Sequence, residues 1–184
     1  MFIPAKFNDT LIRNAVIEFF DKKFKIQLKH NDVHNRIDLV GIKDPELGVE
    51  VEHGKWEGNF WDNDVYSLIS EQTFRTINIP ARKEKYWKDE FMFYNKLKEN
   101  VSSTKNIFVR SNIDFTQFIV IRPNVIRDSD KLVRSRFKPS NSNEVEEWLS
   151  FRQEHVETYD LKNGRYIKQR VNGVQKPIYK SNVA

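Results

Sequence analysis

The chain contains no cysteine among its 184 residues. Disulfides, thiol nucleophiles and Cys-ligated zinc are therefore excluded. No serine lies in a nucleophile-elbow pattern, and the sequence has neither a phosphate-binding P-loop nor a glycine fingerprint for dinucleotides. These absences remove several large classes of enzyme from consideration.

The sequence also lacks long apolar runs. None approaches the roughly 18–20 residues of a membrane span, and the amino terminus, MFIPAKFNDT, has no signal-peptide core or cleavage site. With 39% hydrophobic and 13% aromatic residues, the chain is too apolar to be disordered and too charged for a membrane protein. We expect a soluble, cytoplasmic protein with no membrane partner.

Positive charge is concentrated in the last third of the chain. Residues 1–121 contain 18 Lys and Arg against 18 Asp and Glu, whereas residues 122–184 contain 13 against 8, so this part holds the whole net charge of +5. A basic segment beside a neutral body is typical of proteins with a polyanionic partner, most often nucleic acid. A solvated basic tail is the alternative.

The spacing of apolar residues predicts a mixed α/β fold. Helices are predicted over residues 10–24, 84–100 and 141–158. Strands are predicted over residues 23–29, 37–42, 47–53, 76–80, 106–111 and 115–126. The Asn-Gly pair at 163–164 predicts a hairpin turn.

This order of elements favours a central mixed β-sheet flanked by helices. We expect residues 1–126 to form the core, with an aromatic insertion near 54–76 that contains a short helix or strand. Residues 127–184 are expected to form a basic extension, made of a helix and a hairpin, that packs on or beside the core.

Three acidic residues lie in the two apolar strands of the predicted hairpin RIDLVGIKDPELGVEVEHG. Glu50 and Glu52 share one face of their strand because side chains alternate. A turn centred near Pro45 places Asp38 opposite Glu52, on the same face. A slip of one residue in register would separate them.

Such a cluster needs a counter-charge. Each pair of carboxylates costs about 3 kcal/mol at ~6 Å and an effective dielectric constant of ~20. Protons, basic partners on a neighbouring strand or a bound cation can offset that repulsion. Carboxylate oxygens suit hard cations, and Mg²⁺ usually takes one or two of them, leaving its other positions to water and substrate phosphate.

A helix, then a hairpin with Asp in one strand and an acidic motif in the next, then a helix and a strand, resembles the PD-(D/E)xK nuclease superfamily over roughly residues 10–122. The resemblance implies a restriction-endonuclease-like αβββαβ core and a Mg²⁺ or Mn²⁺ cofactor. It also implies phosphodiester hydrolysis by a metal-activated water.

Carried over by position, the resemblance makes Asp38 and Glu50 the metal ligands, with the backbone carbonyl of Val51 completing the shell. Glu52 stands where the family usually has lysine, and it is expected to act as a base or an additional ligand. The family often has a glutamate in its first helix that helps to hold metal, and Glu18 is the residue expected to do so here.

A lysine could instead reach the acids from elsewhere in the chain. The lysines considered for this role are Lys55, Lys83 and Lys85, and these three together with Arg82 could also contact phosphate. A solvated helix start is the alternative interpretation for the residues from Arg82 to Lys85.

Two further segments bear on nucleic-acid binding. The aromatic residues of the insertion could stack on bases, although packing at a core edge or in a homodimer contact is the interpretation that we favour. The run at 161–180 carries six Lys and Arg, no acid and two Tyr. Its residues Arg165, Lys168 and Arg170 are candidate nucleic-acid contacts, and a mobile tail is the alternative.

The sequence therefore predicts a metal-dependent nuclease, with DNA as the favoured substrate. A catalytically inactive nucleic-acid-binding protein on the same fold is the alternative, because the motif lysine is missing. The small size and the lack of cysteine would fit an enzyme of a phage or mobile element, acting in the host cytoplasm.

Overall fold

The computed structural model describes residues 5–32, 37–53, 63–67, 72–87, 105–128, 130–138 and 143–170. Its helical elements are α1 (Ala5–Phe24), the 3-10 helix η1 (Ala81–Tyr86), α2 (Pro123–Ile126) and the 3-10 helix η2 (Gln153–His155). Its strands are β1 (Leu28–His30), β2 (Leu39–Gly41), β3 (Gly48–His53), β4 (Asn63–Ser67), β5 (Gln72–Pro80), β6 (Ile107–Ser111), β7 (Gln117–Ile121), β8 (Leu132–Phe137), β9 (Glu146–Arg152), β10 (Glu157–Lys162) and β11 (Arg165–Lys168).

The strands form two sheets. The larger sheet has seven strands in the order β1-β2-β3-β6-β7-β10-β11, and the smaller has four in the order β4-β5-β9-β8. In the larger sheet β3 and β6 run parallel, while the other neighbouring strands are antiparallel. The smaller sheet is antiparallel throughout. The predicted mixed α/β class with a mixed sheet is confirmed. The second sheet is a departure from the prediction, which has a single central sheet with helices on its flanks.

The larger sheet lies between α1 and the smaller sheet. On the α1 side, Val49 and Val51 of β3 pack in one core with Phe19 of the helix. On the other side, Ile119 of β7 shares a second core with Ile77 of the smaller sheet. Side chains at positions 50 and 52 of β3 therefore face the smaller sheet, because neighbouring residues on a strand point to opposite faces.

Helix α1 confirms the helix predicted over residues 10–24. Its residues Ile12, Val16, Phe19 and Phe20 are buried at helical spacing. The strand predicted from residue 23 is wrong in its first half, because Phe24 still belongs to the helix and packs on Phe19 with 5.4 Å between ring centroids. The helix ends where Lys25 adopts a positive φ of 58°, and β1 begins only at Leu28.

The helix predicted over residues 141–158 is wrong. Residues Glu146–Arg152 form β9, an inner strand of the smaller sheet between β5 and β8. Leu149 and Phe151 are both buried, which is the alternation of a strand, and only η2 follows as a helical turn. Strands β8 and β9 therefore share a sheet with β4 and β5, while β10 and β11 extend the larger sheet.

The strand predicted over residues 115–126 is shorter in the structure. β7 covers Gln117–Ile121, and α2 follows from Pro123. Proline has no backbone N–H to donate to a neighbouring strand, and its fixed φ suits the first turn of a helix. The hairpin predicted at Asn163-Gly164 is confirmed, with both residues at positive φ between β10 and β11.

Two other predicted segments lie partly outside the residues that the structure describes. Of the helix predicted over 84–100, the structure describes η1 and Trp87, and residues 88–100 lie outside the described part. The insertion near 54–76 contributes β4 and the start of β5. Within the described ranges, no helix is long and apolar enough to cross a membrane.

Candidate active site

Asp38 lies directly before β2 and faces β3. Its backbone carbonyl accepts a hydrogen bond from the N–H of Asn31 at 3.0 Å. Its carboxylate takes the place of the next backbone hydrogen-bond acceptor between β2 and β3, because Oδ2 accepts the backbone N–H of Val51 at 2.8 Å. The other oxygen, Oδ1, lies 2.6 Å from a guanidinium nitrogen of Arg13 in α1. Asp38 is thus fixed by two different elements.

The register of the hairpin differs from the predicted one by two residues. Leu39 pairs with Val49 and Val40 with Gly48, so the same register places Asp38 level with Glu50 rather than with Glu52. A shift of two residues keeps side chains on the same face, whereas a shift of one would not. The predicted grouping of the acids on one face therefore holds, with a different closest pair.

Glu50 is the most buried acid of the site. Only 5% of its surface is exposed, and its Oε1 lies 2.8 Å from the Nζ of Lys83. Burial raises the pKa of Glu50 to about 7, with the charge of Asp38 acting in the same direction and Lys83 opposing both. Its second oxygen, Oε2, is buried and has no hydrogen-bond partner among the described residues.

Glu52 forms an ion pair with an arginine that the sequence analysis missed. Arg110 stands beside Glu52 in the parallel pair of β3 and β6, and its guanidinium lies 3.4 Å from Oε2 of Glu52. The same guanidinium donates to the backbone carbonyl of Asn78 in β5 at 2.7 Å. Arg110 is 2% exposed. Because it contacts Glu52 in the larger sheet and Asn78 in the smaller sheet, it links the two sheets.

Lys83 is the lysine that reaches the acids. Burial acts to lower the pKa of Lys83, but the charges of Glu50 and Glu52 outweigh it and raise that pKa. The ammonium group therefore stays protonated. Lys85 points elsewhere, with its Nζ 5.1 Å from the ring centroid of Tyr86, and Lys55 lies outside the described residues.

The segment that carries Lys83 is fastened to the larger sheet just after η1. The indole N–H of Trp87 donates to the carbonyl of Asn106 at 2.8 Å, and the side-chain amide of Asn106 donates to the carbonyl of Tyr86 at 2.7 Å. Trp87 is buried against Phe108 of β6. These contacts hold η1 beside β3, so the position of Lys83 is set by packing.

A cleft of 290 Å³ opens beside the acids, between α1 and η1. Arg82 lines it but forms no ion pair with the three carboxylates. Among the described residues its ion pair is with Glu146 at 3.9 Å, and its side chain is 69% exposed. Its lining combines apolar and charged side chains. The residues that line the cleft are Asp9, Ile12, Arg13, Val51, Glu52, Pro80, Arg82 and Lys83.

Glu18 does not join the site. Its carboxylate forms an exposed ion pair with Lys22 one turn later, at 2.6 Å. The next residue, Phe19, packs against Tyr166 of β11 with 4.9 Å between ring centroids, so this part of α1 lies near the opposite edge of the larger sheet. The residues that α1 contributes to the cleft are Asp9, Ile12 and Arg13 instead.

The basic residues of the last hairpin also lie away from the acids. Three strands separate β3 from β11 in the larger sheet. Arg165, Lys168 and Arg170 are exposed there, and Lys168 lies 3.6 Å from Glu157. A nucleic acid that contacts both this hairpin and the cleft would have to extend across the sheet.

Sequence reasoning missed two of the three cations of the site. Arg110 left a signal, because it is the one charged residue in the otherwise apolar or neutral segment NIFVRSN. Arg13 left none that separates it from the other charged residues of α1. Comparisons with protein-family models, curated proteins and solved structures gave no match to this chain.

Proposed function

We propose that the chain is a divalent-metal-dependent nuclease of the PD-(D/E)xK type, with DNA as the favoured substrate. One observation carries this proposal: Asp38, Glu50 and Lys83 converge at one point beside a cleft. Two carboxylates and a lysine are the side chains that such nucleases require. Here the lysine comes from η1, because its usual position in β3 is occupied by Glu52.

The order and direction of the strands support this assignment. Helix α1 is followed by three antiparallel neighbours, β1, β2 and β3, and then by β6, which is parallel to β3. This is the arrangement expected of a restriction-endonuclease-like core. Asp38, directly before the second strand, and Glu50, within the third, are the positions that the resemblance assigns to the metal ligands.

The residues present fit a Mg²⁺ or Mn²⁺ ion. Asp38 and Glu50 would hold it, and two carboxylates are the number that Mg²⁺ commonly takes. The buried Oε2 of Glu50 has no hydrogen-bond donor in the described part of the chain, which a cation would compensate. No group of three or more His, Cys, Asp or Glu side chains is arranged for a metal within that part, so water and substrate would supply the other ligands.

The backbone of Val51 is also suitably oriented. Its N–H points toward Asp38, and the N–H and C=O groups of one strand residue point to the same side. The Val51 carbonyl is therefore directed toward the acids rather than toward β6. When bound, the metal would lower the pKa of a water molecule and stabilise negative charge on the phosphate.

Side chains of the protein accept the proton of the attacking water and stabilise the phosphate. Glu52 lines the cleft, is oriented by Arg110 and can accept a proton from the attacking water. Lys83 stays protonated and can stabilise charge that develops on the phosphate. Arg82 at the rim can bind a neighbouring phosphate.

One observation favours the alternative, a nucleic-acid-binding protein without catalysis. Each carboxylate already has a cation of the chain beside it: Asp38 with Arg13, Glu50 with Lys83, and Glu52 with Arg110. The cluster is therefore neutralised without metal. Against this alternative, acids beside bound phosphate weaken binding and serve no purpose in a pure binder.

Cleavage assays decide between these functions. Single-stranded, double-stranded and branched DNA are incubated with Mn²⁺, Mg²⁺ or EDTA, using the wild type, Asp38→Ala and Asp44→Ala. Asp44 is a matched control, because it belongs to the same hairpin but pairs with Lys105 at the surface. We expect metal-dependent cutting that only Asp38→Ala abolishes. DNA binding without cutting by any of the three proteins would establish the alternative.

A further inference from the structure

We propose that Arg13 is a displaceable counter-ion, which holds Asp38 until a divalent metal takes that carboxylate and then binds a phosphate of the substrate. This inference rests on the proposed function, since it assigns a substrate-binding role at the same site. It concerns a residue of α1 that the resemblance did not include.

The contacts of the three cations differ in a way that singles out Arg13. The side chain of Arg13 is 33% exposed, compared with 19% for Lys83 and 3% for Arg110. Arg110 also donates to the carbonyl of Asn78, which anchors it behind the sheet. For Arg13, the bond to Asp38 is the one polar contact recorded within the described part of the chain.

Asp38 is built so that it keeps its orientation when Arg13 leaves. Its Oδ2 accepts the N–H of Val51, which is a backbone group fixed within β3. Its Oδ1 is the oxygen that meets Arg13. A divalent cation and a guanidinium therefore compete for Oδ1, and the ion with the higher charge gains more from a partly buried carboxylate.

Once it is released from Asp38, the guanidinium of Arg13 can contact a phosphate that is bound in the cleft. Arg13 lines the same cleft as Arg82 and Lys83, and it does so from α1, whereas the other two belong to η1. A phosphodiester in that cleft would meet cations from both elements. The planar guanidinium suits phosphate, because it can donate two parallel hydrogen bonds.

The exchange predicts opposite effects of one substitution on two ligands. Removing the charge of Arg13 removes a competitor of the metal, so metal binding becomes tighter. The same change removes a phosphate contact, so substrate binding becomes weaker. A purely structural arginine would not produce this pair of changes.

The test measures Mn²⁺ binding by calorimetry without nucleic acid, and kcat and KM of DNA cleavage separately. For Arg13→Gln we expect the Kd for Mn²⁺ to fall about fivefold to tenfold, and KM to rise about tenfold with a smaller change in kcat. Arg82→Gln is the matched control: it removes the same charge from the same cleft, and the Kd for Mn²⁺ should stay unchanged.

Further variants keep the result interpretable. Asp38→Asn should abolish Mn²⁺ binding, which identifies the measured site. If Arg13→Gln does not fold, Arg13→Lys retains the charge without the planar fork, and it should bind Mn²⁺ like the wild type while KM rises. A Kd of Arg13→Lys that rises together with KM would count against the exchange.

The outcomes separate this inference from the proposed function. If the wild type binds Mn²⁺ and cuts DNA but Arg13→Gln binds Mn²⁺ no more tightly, the inference is wrong and the nuclease assignment stands. If neither protein binds Mn²⁺ and the wild type does not cut, both proposals fail.

Discussion

The ammonium nitrogen of Lys83 lies 2.8 Å from Oε1 of Glu50, and both side chains are largely buried. The pair joins η1 to β3, two elements that are distant in the sequence. A lysine at the usual position of the PD-(D/E)xK motif would point from β3 itself. On the proposed assignment Glu52 occupies that position, and the cation beside Glu50 comes from η1 instead.

Lys83→Met should abolish most of the proposed DNA-cleavage activity. The substitution keeps much of the apolar stem but removes a protonated donor near the phosphate, and removal of one such electrostatic contact typically lowers kcat about 10²–10³-fold. Lys105→Met is the control, because Lys105 pairs with Asp44 at the surface. Single-turnover cleavage with Mn²⁺ measures both variants, and full activity of Lys83→Met would refute the role of this lysine.

The stability of the protein should depend on the ionisation of Glu50. Its pKa in the folded protein is about 7, above the ordinary value of 4.5. Between these two pH values the folded state keeps a proton that the unfolded state has released. Stability from this group is therefore present at low pH and is lost as the pH rises through that window.

Glu50→Gln should remove this dependence. One pKa unit corresponds to about 1.4 kcal/mol, so the variant should gain about 3 kcal/mol over the wild type at pH 8 and almost nothing at pH 4.5. Urea unfolding across this range measures the difference. A constant difference between the two proteins would mean that Lys83 offsets both the burial and the charge of Asp38 and holds the pKa of Glu50 at its ordinary value.

The acidic hairpin shows how far the sequence alone could lead. The alternation in GVEVEH fixed which side of the sheet the acids share, because a period of two is a local property. The closest partner of Asp38 was predicted two residues too far along β3. The register depends on the geometry of the turn between β2 and β3, where the N–H of Gly41 donates to the carbonyl of Leu47 at 2.9 Å, and the residue types of the turn did not reveal that geometry.

Strand β9 is an element whose type could not be predicted from the local sequence. Its sequence, EEWLSFR, lies in the segment over residues 141–158 for which the sequence pattern predicts a helix. The segment is a strand because β5 and β8 pair with it on both sides. Tertiary pairing can override local preference. The cations of the site were missed for a related reason, because packing brings Arg13 and Arg110 to the acids.

Glu18→Gln should leave both cleavage and Mn²⁺ affinity within about twofold of the wild type. Glu18 is exposed and pairs with Lys22, and such surface pairs contribute roughly 0–1 kcal/mol. Asp38→Asn, which removes an equivalent charge at the proposed site, should abolish both properties. A large loss of Mn²⁺ affinity in Glu18→Gln would instead place the first-helix acid in the site, as the family resemblance implied.

Arg110→Met should destabilise the protein by about 3 kcal/mol. The substitution removes the guanidinium that donates to the carbonyl of Asn78 and forms an ion pair with Glu52, and the loss of a charged partner by buried groups is costly. Arg136→Met is the control, because Arg136 is 77% exposed on β8 and lies 3.8 Å from Glu147, and it should change stability by less than about 0.5 kcal/mol. Urea unfolding at neutral pH compares the two variants with the wild type.

If Arg110→Met were as stable as Arg136→Met, the guanidinium would not link the sheets, and Glu52 would keep its position without it. Because Glu52 is the acid assigned to the attacking water, the variant should also lose cleavage in conditions where it remains folded, while its affinity for Mn²⁺ is retained through Asp38 and Glu50.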